Sequence, residues 1–306
     1  MCVWLLNAQK FHEVNLKMVF HSPATVISKT GDAGRYKVSL PVWNMLLRGF
    51  MAGAYIAMGA ALATICFTGV AEHLGDGIAK LVLGAVFPLG LIIIVLTGAE
   101  LFTGDAMFAP MAAFIHKTSW KSVLNLWLWV YIGNLLGSVV FAYMMAYGPL
   151  TSWSASGTGT ATVFGVSAVG IALNKVSYIG MAATWSCFLK AICCNWLVNL
   201  AILLGICADD AIGKIVGIWF PIMAFVALGF EHCVANMYFI PAGLFTMPYL
   251  TGEQAATFGI ENLANLNWVS MWTNDLIVVT IGNIVGGLLF VGILYWIAFK
   301  KEIEVN

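Results

Sequence analysis

The chain has 306 residues, 61% of them hydrophobic and 9% charged, against about 25% charged in soluble domains; a soluble globule could not hide that much apolar surface, so composition places it in a membrane. Lys+Arg 14 balances Asp+Glu 14 with no basic block, which excludes a nucleic-acid binder, and the apolar content excludes disorder. The apolar residues come in long continuous runs and not in short alternating segments, which argues against a β-barrel.

Residues 1–43 form a polar, amphipathic N-terminal segment without the layout of a signal peptide. Residues 1–17 read either as an amphipathic helix lying on the membrane or as a stretch ahead of an alternative start at Met18. A membrane domain over 44–299 and a short tail over 300–306 complete the division. Six runs reach the length a bilayer demands: 44–69, 78–115, 123–147, 183–207, 215–247 and 275–299. The second and fifth are too long for one clean helix. Charged residues interrupt both, at Glu100 and Asp105 in the one and at Glu231 and His232 in the other. The stretch 151–162 is rich in Ser, Thr and Gly and reads as a flexible loop. Cys2, Cys66, Cys187, Cys193, Cys194, Cys207 and Cys233 are odd in number and mostly inside apolar runs. They read as small core residues, not as disulfides or metal ligands.

Basic residues set the expected orientation. Lys10, Lys17, Lys29, Arg35, Lys37, Arg48, Lys117, Lys121, Lys214, Lys300 and Lys301 fall on one side of a six-span layout, and only Lys80, Lys175 and Lys190 on the other. Both termini are therefore expected in the cytoplasm of a multi-pass cell-membrane protein.

The two halves of the chain overlay. Leu47-Arg48-Gly49 matches Leu189-Lys190-Ala191, Glu100 matches Glu231, and Ile132-Gly133-Asn134-Leu135-Leu136-Gly137 matches Ile281-Gly282-Asn283-Ile284-Val285-Gly286. Gly-Asn-x-x-Gly alone would be a small-residue packing motif; three matches in the same order read as a duplication. With three spans in each half, the halves cross the membrane in opposite senses. The expected fold is an all-α membrane protein with six transmembrane helices in a 3+3 inverted repeat, helices 2 and 5 being broken.

Irregular backbone at membrane depth lines a cavity or is buried in protein, and ionisable residues there are functional candidates. Glu100 and Glu231 occupy matched positions and read as structural groups that cap freed amides at the breaks. His232 has no counterpart, since Leu101 follows Glu100, and it reads as chemical; the alternative is a satisfied core histidine.

Three segments stand out: Val95-Leu96-Thr97-Gly98-Ala99-Glu100-Leu101-Phe102-Thr103-Gly104, the histidine segment Gly229-Phe230-Glu231-His232-Cys233-Val234-Ala235-Asn236-Met237, and Ala191-Ile192-Cys193-Cys194-Asn195-Trp196-Leu197-Val198-Asn199-Leu200-Ala201. Together they resemble the formate/nitrite transporter family. The third departs at Asn199, where the family usually has Cys. The Gly31-Asp32-Ala33-Gly34 run, Lys37 and the entry KVSLPVWNMLLRGFMAGAYIAMGAAL are most like formate transporters of anaerobic microbes, methanogens included.

The resemblance implies an aquaporin-like fold assembled as a homopentamer, with a pore in each protomer. It implies that Phe87, Leu91, Leu101, Phe102, Val198 and Phe225 form two apolar constrictions, with Thr103, Asn195 and His232 between them and Lys175 in a vestibule. The implied function is a channel or transporter for small monovalent anions, chiefly formate, moved with a proton or as transiently neutralised formic acid; it is not an enzyme and has no cofactor or metal. Two roles stay open for His232: it passes a proton, or it stays neutral and donates a hydrogen bond. Nitrite or hydrosulfide is an alternative substrate. An aquaporin-type neutral-solute channel would want Asn-Pro-Ala boxes, which the chain lacks. A membrane-embedded enzyme would want more intramembrane ligands than His232.

Overall fold

In the computed structural model, residues 20–303 are described; the alternative readings of residues 1–17 lie outside them. Helix α1 (Pro23–Val38) starts where Ser22 caps it, its hydroxyl accepting from the Thr25 amide at 3.3 Å, with Pro23 at the first turn. Then follow α2 (Val42–Phe67), α3 (Val70–Thr97), α4 (Phe102–Phe114) and α5 (Trp120–Tyr147). A hairpin of β1 (Thr151–Trp153) and β2 (Gly159–Ala161) leads to α6 (Val163–Lys175), α7 (Met181–Cys207), α8 (Ala211–Ala227) and α9 (Cys233–Thr246). The short helices α10 (Gly252–Phe258) and α11 (Ile260–Asn265) precede α12 (Trp268–Ile303), which carries π-helical turns at Met271–Leu276 and Leu288–Ile293.

Five of these, α2, α3, α5, α7 and α12, are long and apolar enough to cross a bilayer. The second and fifth predicted runs are each divided, α3 from α4 at residues 98–101 and α8 from α9 at 228–232. Of these pieces only α3 has the length to span alone. The stretch 151–162 is a correction to the sequence reading. It is an ordered hairpin, because Trp153 packs between Tyr147 and Tyr249 and Ser154 Oγ accepts from the Thr158 amide across a turn at Gly157. Aromatic packing ties down what polar composition suggested was loose.

Small residues bring the long helices together. A Cβ on Gly53 would sit 2.0 Å from the Asn134 carbonyl oxygen, and one on Gly137 would sit 1.9 Å from that of Phe50. On the other side, a Cβ on Gly286 would meet the Ile192 carbonyl oxygen at 2.4 Å. The Gly-Asn-x-x-Gly motifs thus hold α5 against α2 and α12 against α7 within one chain. Helix α1 packs on α4, and α6 packs on α9.

Candidate functional site

The same set of bonds builds each break. At the first, Gly98 turns the chain with φ 76°, a left-handed conformation that glycine adopts without a Cβ clash. Asn134 on α5 spans the gap. Its Oδ1 accepts from the Phe102 amide (2.9 Å), and its Nδ2 donates to the carbonyls of Glu100 (2.9 Å) and Gly49 (2.8 Å). At the second, Gly229 turns with φ 70°. Asn283 on α12 accepts from the Cys233 amide (2.9 Å) and donates to the carbonyls of Glu231 (2.9 Å) and Ala191 (2.8 Å). Lipid supplies no partner for an exposed amide, so these two side chains make the breaks tolerable.

The glutamates do not take the freed amides, contrary to the sequence expectation. Glu100 pairs with Lys37 of α1, and Arg48 lies 3.6 Å away; Lys37 also sits 3.2 Å from Asp105. Glu231 accepts from Lys175 (2.7 Å), the Tyr178 hydroxyl (2.7 Å) and the Asn236 amide (2.8 Å). A buried carboxylate needs a cation, whereas an asparagine both donates and accepts and so suits an interrupted backbone. Burial opposes the charge on Lys37, but Asp105 and Glu100 outweigh it and hold its ammonium above the usual lysine range. It stays cationic throughout physiological pH.

Three cavities share walls from one break to the other. The first, about 240 Å³, lies beside α1 and carries Lys37, Arg48, Glu100, Asp105 and Lys214 on its wall with Leu91 and Leu101. The second holds only about 10 Å³, bounded by Ile56, Phe87, Leu91, Leu101, Val198, Ile222, Phe225 and His232. The third, about 130 Å³, is bounded by Phe87, Phe225 and His232 together with Lys175 and Asn236. Leu91 and Leu101 therefore stand between the first two, and Phe87, Phe225 and His232 between the last two. The middle space admits about one water-sized probe, so passage of anything larger needs side-chain motion.

His232 is buried. Its Nδ1 accepts from the Ala235 amide at 3.0 Å, capping α9. That bond fixes the tautomer: the proton sits on Nε2, which faces Thr103 Oγ1 at 2.9 Å. The ring stacks on Phe225 at 5.8 Å, and Phe225 meets Phe87 edge-on at 5.6 Å. Asn195 and Asn199 both donate to the Thr103 carbonyl, at 3.0 and 3.2 Å, so the unusual Asn199 adds a second hold on this residue. Leu101 and His232 occupy matched positions, and the backbone amide of each is without a partner among the described residues.

The structure thus gathers Phe87, Leu91, Leu101, Val198, Phe225 and His232 around one slit, with Thr103 and Asn195 behind it and Lys175 on the third cavity. Phe102 is elsewhere. Its ring packs edge-on against Tyr131 (5.0 Å) and Trp127 (6.1 Å) and borders none of these cavities, because α4 begins there and turns its first side chain toward α5. Sequence reasoning missed Ile56, Ile222, Asp275 and the bracing role of Asn134 and Asn283. An asparagine in mid-run of an apolar helix was the available signal for the last two.

The profile of the formate/nitrite transporter family matches residues 24–297. The chain is 42% identical over 293 residues to the probable formate transporter of Methanothermobacter thermautotrophicus, covering 92% of this chain and 98% of that one. It is 32% identical over 287 residues to the formate channel FocA of Escherichia coli K12, covering 92% and 95%. Among solved structures, a pentameric formate channel with formate bound superposes with a TM-score of 0.71 at 32% identity, over 85% of this chain and 98% of that one. With braced breaks, several apolar spanning helices and this likeness along nearly its whole length, the chain is a multi-pass membrane protein that belongs to the formate/nitrite transporter family.

Proposed function

We propose that the chain is a formate channel or transporter whose substrate crosses the slit between Leu91/Leu101 and Phe87/Phe225 beside His232. The observation that carries this reading is the run of three cavities with shared walls, at whose narrowest point the polar side chain is His232. A bare anion loses its hydration at an apolar slit at great cost, and a hydrophobic constriction stops ions by dewetting. The Nε2–H of His232, now turned to Thr103, and the unpartnered amides of Leu101 and His232 are donors that a carboxylate oxygen can take in exchange for water.

His232 acts in this account as a neutral donor. Protonating Nδ1 would place two N–H groups nose to nose at Ala235 and break the helix cap. The proton that neutralises formate then enters with it from vestibule water, and the product crosses as formic acid.

The architecture proposed around the slit is a 3+3 inverted repeat of six spans. It is supported by the recurrence of Gly98, Glu100, Phe108 and Pro110 as Gly229, Glu231, Phe239 and Pro241, and by the matching bonds of Asn134 and Asn283. Lys37 over Phe108 (4.9 Å) and Lys175 over Phe239 (5.9 Å) repeat the same contact. The basic-residue count favours cytoplasmic termini, and the likeness to a pentameric channel favours a homopentamer.

Phe225→Ala removes the ring that both stacks on His232 and meets Phe87. Acetate and lactate flux relative to formate is expected to rise about tenfold, while cations stay excluded. A liposome uptake panel of formate, nitrite, hydrosulfide, acetate and lactate checks it; an unchanged ratio would remove Phe225 from the narrow point.

A further inference from the structure

Each break is ringed by two basic and two acidic side chains, but the second acid is not in the same place. Around the first stand Lys37, Arg48, Glu100 and Asp105, Asp105 being five residues after Glu100. Around the second stand Lys175, Lys190 and Glu231, with Lys190 reaching Glu231 through Tyr178: Lys190 Nζ donates to the Tyr178 hydroxyl (3.2 Å), which donates to Glu231 (2.7 Å). Five residues after Glu231 the chain carries the neutral Asn236. The fourth member is Asp275 on α12, fully buried in the π-helical turn Met271–Leu276. Its partner position in the first half, on α5, is Leu126. Both Asp275 oxygens accept from Asn236 Nδ2, at 3.0 and 2.9 Å. No basic group lies within 4 Å of Asp275 among the described residues, so this amide is what binds the acid into the cluster.

The displacement changes what the two outer cavities present. Asp105 and Glu100 are on the wall of the first cavity, against Lys37, Arg48 and Lys214. The third cavity has Asn236 and Lys175 on its wall and no carboxylate, since Glu231 and Asp275 lie behind it. We propose that Asp275 is the relocated acid of the second half: joined to Glu231 through Asn236 Nδ2, it offsets the half-buried Lys175 and Lys190 from behind the wall while position 236 stays neutral, so the third cavity presents Lys175 without a carboxylate and admits anions. The Asn236–Asp275 pair is thus a specificity-determining element of anion entry, an inference that rests on the reading of the chain as an anion pathway.

The test moves the acid. Full-length wild type, Asn236→Asp, Asp275→Asn and the double variant Asn236→Asp/Asp275→Asn are purified, placed in vesicles sorted so that formate meets the third cavity first, and compared by uptake and by melting in detergent. A wall carboxylate is expected to raise the half-saturating formate concentration about fivefold, less at high ionic strength, in both variants that carry Asp at 236. Melting is expected to fall in each single variant and to return close to wild type in the double, where charges balance again. The double variant separates the two effects: rescued melting with unrescued half-saturation supports the proposal. Wild-type half-saturation in the double overturns it, and so does a double no more stable than its single parents or unable to assemble. Absence of formate uptake by wild type would instead fail the functional reading, and the melting comparison alone would then decide the relocation.

Discussion

Replacing Asn134 or Asn283 by leucine is expected to cost about 2–6 kcal/mol of stability, the sum for two buried backbone groups left without partners, the amide and carbonyl on either side of the break. Each asparagine closes a break that neither neighbouring helix can close itself, and in lipid no water replaces it. The same change at Asn262, an exposed residue whose side chain bonds the Phe258 carbonyl, is expected to stay within about 0.5 kcal/mol. Thermal unfolding of the three variants in one detergent measures the contrast. Equal melting of Asn134→Leu and Asn262→Leu would mean that the break is held by packing and not by this side chain.

The second large effect is at His232. In His232→Asn the shorter side chain can still cap α9 but cannot bring a donor to Thr103 or to substrate. Formate flux is expected to fall about tenfold, the worth of one buried hydrogen bond, while the flux–pH curve between about pH 5 and 8 keeps its shape. The curve keeps its shape because the ring, held by Ala235, is a fixed donor and its titration is not part of the cycle. A curve that flattens in His232→Asn would show that the imidazole itself passes the proton. Thr103→Val provides a comparison, since it removes the partner and leaves the Nε2–H in place.

Much of this was legible in the residues. Run length, interrupting charges and the triple match of Arg48 with Lys190, Glu100 with Glu231 and Asn134 with Asn283 located the breaks before any coordinate did, because helix interruption in lipid leaves a chemical trace. The roles inside the breaks were harder. Glutamate at both sites looked like an amide cap, but its bond to Lys37 or Lys175 depends on α1 and α6 folding back, and nothing in local pattern encodes that return. Phe102 and Leu101 are neighbours in one motif, yet only Leu101 faces the slit; Leu101 is still extended and Phe102 opens the helix, so the two side chains leave the backbone in different directions. The hairpin around Gly157 is hidden because its order comes in part from Trp153 packing on Tyr249, far along the chain. Asp275 opens the last predicted run, and the burial of an acid there shows only in three dimensions.

Formate is proposed to cross the slit at His232. Uptake of labelled formate into liposomes holding the purified full-length protein, against protein-free liposomes, tests it most directly. Saturable uptake well above the protein-free rate is expected, competed by nitrite more strongly than by lactate. Uptake no faster than through bare lipid, in vesicles whose protein is folded and inserted, would contradict it.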